Sequence, residues 1–346
     1  MKKRIFALVC VAIALMMVVG CGSKPAAAPA KPAAPAADAA KPAAPAAPAA
    51  PAAWKFERKI EIVCPWGAGG GADTTLRTFA TALEKEIGVP VVVNNKSGAG
   101  GATGCDFAIK QPADGYTWLL STQSPLLAEL TGSTEVKVYE STTPVTRLVH
   151  DTNIIIAGKD APYNNLTELK AFIEKNPGKV KAGCMSITGL DGLTVDLTFD
   201  GKVEAVAYTE GAQLTADIMG GHMPIAVVGP AEVLGAIQSG DVKVIVVCAE
   251  QRMTMPELKD IECTGELGVK SFYGPARGIF CANGTPQAAI DAFAEAAAKA
   301  VKAPEFVEFA KAQGLDQRPG FMAPAEYKTW WDAEYVGLNE LLKAKK

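Results

Sequence analysis

The chain has 346 residues, 49% of them hydrophobic, and a formal net charge of −3. Setting aside the three cations of the first four residues, and the three lysines and one aspartate of residues 24–53, leaves 28 basic against 36 acidic residues, a charge of −8. That balance argues against nucleic acid or an anionic membrane surface as a partner. A bound anion must be drawn by local donors, not by the overall field.

In chain order, Lys2, Lys3 and Arg4 form a basic start and Ile5 to Val19 an unbroken apolar run. The run has the length of a signal-peptide core and is short for a membrane span of ~20 residues. Val18-Val19-Gly20-Cys21 closes it and resembles a bacterial lipobox. Residues 1–20 are therefore expected to be a lipoprotein signal peptide, with Cys21 taking lipid and anchoring the chain to a membrane. Residues 21–53 are alanine and proline with a few charges, which favours an extended stalk over a helix. The remaining body is expected outside the cytoplasmic membrane, in the periplasm or on the cell surface.

Residues 54–346 are enough for two domains. Short β-branched runs mark strands at 59–64, 89–94, 117–121, 153–157, 179–184, 203–207, 224–228, 243–248 and 278–282. Helical spacing marks 72–87, 101–110, 166–175, 190–199, 210–219, 230–238, 286–301, 303–313 and 324–343. This alternation predicts α/β architecture with mostly parallel sheets flanked by helices. Six cysteines remain in the body without a C-x-x-C pair, and their apolar surroundings predict buried free thiols.

Two glycine loops carry the strongest functional signal. Pro65-Trp66-Gly67-Ala68-Gly69-Gly70-Gly71-Ala72-Asp73 follows the first strand, and Ser97-Gly98-Ala99-Gly100-Gly101 follows the second. A strand, a glycine turn and a helix start aim bare N–H groups and a positive helix end at one point, which binds anions. A Cβ at Gly70 or Gly100 is expected to block close backbone approach. Gly67-x-Gly69-x-x-Ala72 formally matches a dinucleotide fingerprint, but the second strand ends in Asn94-Asn95-Lys96, where a ribose-binding acid is needed. Neither loop is followed by Gly-Lys-Ser/Thr, so a P-loop is excluded. His150 and His222 lack metal-ligand spacing, and no G-x-S-x-G occurs. The residues pick out no catalytic residue, metal or cofactor; catalysis is possible, but nothing in the sequence requires it.

The order of motifs resembles the solute-binding receptors of tripartite tricarboxylate transporters, the Bug family. The residues that carry the resemblance are Ile60-x-Ile62-Val63-x-Pro65-Trp66-x-x-Gly69-Gly70-x-x-Asp73, then Gly88 to Asn95 with Gly98-Ala99-Gly100-Gly101, then Pro112-x-Asp114-Gly115-Tyr116-Thr117. Asn176-Pro177-Gly178, Gly220-Gly221-His222-Met223, Arg277-Gly278 and Gly284-Thr285-Pro286 follow in order. The resemblance implies a two-lobed, type II-like periplasmic-binding fold that closes on its ligand. Lobe one is expected at 54–157 plus 275–346 and lobe two at 158–274.

The same resemblance implies a small organic carboxylate as ligand, in the di- or tricarboxylate range. It implies a multi-span permease with a small membrane subunit as partner, and a monomeric receptor with no role for nucleic acid. Gly69, Gly70, Gly71 and Asp73 are assigned to one wall of the pocket, and Gly98, Ala99, Gly100 and Gly101 to another. Asp73 is read as a capping and water-orienting group. Ser121 and Thr122 offer hydroxyls, and Ser186, Thr188, Asp191, Tyr208 and Glu210 align with ligand-facing loops of lobe two. Asp191 and Glu210 would repel a second carboxylate unless a cation or amino group intervenes, and Arg277 could supply a bidentate grip. Ala68 and Trp66 depart from the usual proline and phenylalanine. A ligand-presenting sensor module for a signalling ectodomain, or an exported α/β enzyme, are the alternative readings.

Overall fold

The computed structural model describes residues 54–344. The expected signal peptide, lipid-accepting Cys21 and stalk all lie outside the described residues. Ten strands follow in chain order: β1 (Ile60–Cys64), β2 (Val91–Asn95), β3 (Thr117–Ser121), β4 (Thr142–His150), β5 (Ile154–Gly158), β6 (Lys181–Cys184), β7 (Glu204–Ala207), β8 (Ile225–Val228), β9 (Val242–Val247) and β10 (Ala276–Ala282). They form two five-stranded sheets, ordered β2-β1-β3-β10-β4 and β7-β6-β8-β5-β9. In the first sheet, β1 pairs in parallel with β2 and β3, while β10 runs antiparallel to β3 and β4. The second sheet repeats the pattern, with β5 as its reversed strand. The reversed strand is in each case the one that enters from the other lobe.

Both sheets are buried on two faces, as their continuous apolar runs require. The period of two sends Ile60, Ile62 and Trp118 to one core with Phe79 and Phe293, and Val63, Leu119 and Phe280 to the other with Tyr327 and Trp331. In the second sheet Ile154 and Ile156 join one core, and Ile155 and Ala157 the opposite one. The C-terminal helix Pro324–Ala344 packs Tyr327, Trp331 and Leu338 into the first lobe. The six body cysteines are buried and free.

The lobe boundary differs from the expected one. Residues 154–157, assigned by sequence to lobe one, belong to β5 inside the second sheet. The chain therefore crosses at Asp151–Asn153, because Ile154 to Ala157 are apolar throughout and fill a central strand. The return crossing lies just before β10. Asp151 N–H donates to Pro275 O at 3.0 Å, joining the two crossings. Arg318 Nη2 donates to Cys248 O (3.2 Å) and Phe272 O (3.0 Å), tying the return segment to lobe one. His150 is packed beside this cation, and burial together with Arg318 pushes its pKa down to about 3, which suits a neutral structural imidazole.

Four elements were not expected: the single 3-10 turn Ala99–Gly101, the helix Gln123–Leu130, the short helix Val138–Ser141 and β4. Pro144 masks β4, yet β4 is an edge strand, where proline is tolerated. Pro125 masks the helix Gln123–Leu130, yet it falls in the first turn, where its missing N–H costs nothing. Thr122 caps that helix, its hydroxyl accepting from Ser124 N at 3.2 Å.

Candidate functional site

A cavity of about 100 Å³ lies between the lobes at the carboxyl ends of the strands. An engineered cavity of ~150 Å³ admits benzene, so the occupant is small. One wall is the first glycine loop with Trp66, Gly67, Ala68, Gly70, Gly71 and Ala72. Thr122, Ser124 and Arg277 extend it, and Met185, Ser186, Asp191, Thr209, Glu210, Gly211 and Glu232 face it from lobe two. Helices beginning at Gly71, Gln123, Leu190, Gly211 and Pro230 all start at this cavity or within two residues of its lining. Their unpaired N–H groups make a field suited to a negative charge.

Three residues behind the wall hold the first loop in shape. Asp73 Oδ2 accepts from Gly69 N–H and from Arg77 Nε, each at 2.9 Å. Asn95 Nδ2 donates to Asp73 Oδ1 (2.8 Å) and to Trp66 O (3.0 Å). Burial opposes ionisation of Asp73, but the Arg77 guanidinium, the Gly69 N–H and the Asn95 amide together hold its carboxyl below the usual range. The asparagine that stands where a ribose acid would be is thus a brace for the loop.

Arg277 sits at the start of β10, which as the reversed strand brings its first residues to the carboxyl end of β3. Only 2% of the residue is exposed. Its Nη2 lies 2.8 Å from Asp151 Oδ2 in a buried ion pair. Its Nη1 is buried without a hydrogen-bond partner among the described residues. Gly71 makes room for it, since a Cβ there would stand 2.8 Å from Arg277 Nη2 and 3.2 Å from Glu232 Oε1. At Gly70, by contrast, a Cβ would meet only Gly67 O, at an ordinary 3.7 Å. Of the two positions, Gly71 is thus the one where the protein's own atoms leave no room for a Cβ.

Acids surround the arginine. Asp191 Oδ2 accepts from Met185 N–H at 3.1 Å. Burial pushes the Asp191 carboxyl up to about 6 against that donor, the Ser186 N–H and the Asn153 amide. Burial likewise pushes Glu232 up to about 7, with Arg277 pulling it down and Asp191 and Asp151 pushing it up.

Residues 75–323 match the model of the tripartite tricarboxylate transporter family receptor. The chain belongs to that family. It is similar to Protein BugT of Bordetella pertussis (strain Tohama I), with 28% identity over 287 residues, 79% of this chain and 87% of the relative. It is similar to the solved structure of periplasmic binding protein BugD, with a TM-score of 0.75 and 25% identity, covering 84% of this chain and 98% of that one. The fold is also that of MatC from Rhodopseudomonas palustris with bound malate, at a TM-score of 0.73 and 19% identity, over 82% of this chain and 98% of that one.

Of the residues singled out by sequence, Gly70, Gly71, Thr122, Ser186, Asp191, Glu210 and Arg277 line the receptor's cavity. Gly69 and Asp73 stand behind the first wall, linked by the hydrogen bond described above. Gly98, Ala99, Gly100 and Gly101 do not line it. All four have positive φ, and they turn sharply to meet lobe two at the cavity's edge. A Cβ on Gly100 would lie 2.6 Å from Ser186 Oγ and 3.8 Å from Thr188 Oγ1, so this loop and Thr188 form a seam between the lobes. Ser121 is buried in the strand beside Cys105, 3.8 Å from its Sγ. Tyr208 turns away, its hydroxyl donating to Asp217 Oδ2 at 2.8 Å. Ser124, the last of the Ser121-Thr122-Gln123-Ser124 stretch read as offering hydroxyls, also lines the cavity, whereas the sequence reading missed Asp151 and Glu232. Glu232 follows a strand, a glycine and a helix start, the same grammar that exposed the first loop.

Proposed function

We propose that this receptor captures a small organic carboxylate outside the cytoplasmic membrane and delivers it to a multi-span permease with a small membrane subunit. In this reading the lipid on Cys21 anchors a monomeric body through the 21–53 stalk, and no chemistry is done on the ligand. The observation that carries it is the buried Arg277, which lines a cavity built from helix starts and has one guanidinium nitrogen, Nη1, without a partner among the described residues. A carboxylate there accepts from Arg277 Nη1 and from the open N–H groups of the first helical turn after Gly70. Closure of the lobes then removes the charge from water into an interior of lower dielectric, where such bonds are stronger.

A panel of mono-, di- and tricarboxylates is the test, read by thermal melting. A ligand at a hundredfold excess over its Kd adds about 2.7 kcal/mol. For a body of this size that raises Tm by about 5 °C or more. Stabilisation by a sugar or an uncharged amide, with none from any carboxylate, would overturn the reading.

A further inference from the structure

Strand β3 ends at Ser121, and its ladder with β10 pairs Phe280 with Leu119, Ile279 with Leu120 and Gly278 with Ser121. Continued two residues further, that register would set Ala276 opposite Gln123. The backbone does not continue it, because the chain turns at Thr122 into the helix Gln123–Leu130. The side chain of Gln123 takes its place, its Oε1 accepting from Ala276 N–H at 3.0 Å. A buried strand N–H must find an acceptor, and here an amide oxygen stands in for the missing carbonyl. Gln123 is 2% exposed and Ala276 is buried, so bulk water does not replace the bond.

Ala276 is the first residue of β10 and precedes Arg277. The residue before it, Pro275, accepts from Asp151 N–H. Gln123 therefore fastens the strand to lobe one just where the chain has crossed from lobe two. A register shift between Arg277 and Gly278 breaks the ladder with β4 at the same place, so this end of β10 leans on the added bond.

The Gln123 amide is itself set from behind. Its Nε2 donates to Glu334 Oε2 at 3.3 Å, from the C-terminal helix. A backbone N–H only donates and a carboxylate only accepts, so the two partners together allow one orientation of the amide. The same helix places Tyr327 against Gly278, where a Cβ would collide with the phenol. It thus acts on β10 on either side of Arg277, directly at Gly278 and through Gln123 at Ala276. Neither Gln123 nor Glu334 is part of the cavity lining, whereas Arg277 is. Resting on the carboxylate-receptor function proposed above, we propose that Gln123 is a positioning residue for the ligand grip. It seats the start of β10 so that Arg277 lines the cavity, and Glu334 keeps its amide turned with the oxygen toward Ala276.

The test compares the parent protein with Gln123→Met, which keeps the side chain's length and removes both hydrogen bonds, and with Glu334→Leu and Glu334→Gln. Two readings are taken: residue-by-residue amide exchange along β10, and isothermal titration with acetate, succinate, malate and citrate. Gln123→Met should speed exchange at Ala276 N–H at least tenfold while Ile279 and Phe280 stay within threefold of the parent. It should also weaken the tightest-binding of the four acids at least fivefold. Glu334→Leu should move both readings in the same direction. Glu334→Gln, whose amide oxygen still accepts from Gln123, should recover most of the affinity. A merely structural role would instead speed exchange along the whole strand. Such a uniform rise, or an affinity within twofold of the parent in Gln123→Met, overturns the positioning role and leaves the receptor reading standing. Glu334→Leu, at a partly exposed position, decides the matter by the same two readings if Gln123→Met does not fold. If none of the four acids binds the parent, the receptor reading itself falls, and the positioning role with it.

Discussion

Replacing Arg277 with glutamine is expected to cost the fold about 3–5 kcal/mol, the usual penalty for removing one partner of a buried ion pair. Carboxylate binding should be lost with it. The guanidinium is nearly inaccessible and lies 2.8 Å from Asp151, so its removal leaves a buried carboxylate uncompensated. The pH dependence has a definite sign. Glu232 has a folded pKa raised to about 7, so between the ordinary glutamate value of about 4.3 and 7 the folded state holds more protons than the unfolded. Stability from this group therefore falls as pH rises through that window. Arg277 pulls Glu232 down, so its loss raises that carboxyl further and the damage should be greater at pH 8 than at pH 5. Adding Asp151→Asn should restore much of the stability but none of the binding. Urea denaturation and calorimetry read the two effects separately. A folded Arg277→Gln variant with unchanged affinity and a loss below about 1 kcal/mol would remove this residue from both roles.

Gly71→Ala should weaken binding and strain the fold through one contact. Gly71 opens the helix Gly71–Ile87 and its φ is not among the positive ones, so alanine adopts its backbone without strain. Helix propensity alone favours the change by up to about 1 kcal/mol. The added Cβ, however, would stand 2.8 Å from Arg277 Nη2 and 3.2 Å from Glu232 Oε1, in the space the ligand needs. Overpacking of this kind costs the fold about 1–3 kcal/mol, and the displaced Arg277 guanidinium should weaken carboxylate binding as well, each ~1.4 kcal/mol lost on the ligand side being about tenfold in affinity. Titration with whichever acid stabilises the parent chain most reads the outcome. An affinity within twofold of the parent, in a variant that melts no lower, would show that the first helical turn does not touch the ligand.

Much of the frame was legible because it is written locally. The strand, the glycine turn and the helix start at Ile60 to Gly71 lie within a dozen residues, and each has a steric or dipolar reason that a single sequence carries. The helix Leu166–Lys175 was equally plain, because Asn165 accepts from Glu168 N–H at 2.9 Å and the pair reads as a cap. What stayed hidden is non-local. Arg277 was singled out as a possible grip, but its pairing with Asp151 depends on β10 returning across the lobes. No spacing in the sequence brings those residues together. The part played by Gly100 depends on how the two lobes meet, where Ser186 of the other lobe stands against it. Pro144 and Pro125 misled for a simpler reason. Each breaks the usual rule for its residue type, and each sits at one of the few places where the fold tolerates it.

A crystal structure of the protein with the most stabilising acid bound tests the central claim most directly. The ligand's carboxylate oxygens should lie within hydrogen-bonding distance of Arg277 Nη1 and of a backbone N–H in the turn from Gly70 to Ala72. A carboxylate seated elsewhere in the molecule, or in the cleft but away from both Arg277 and that turn, would contradict the account.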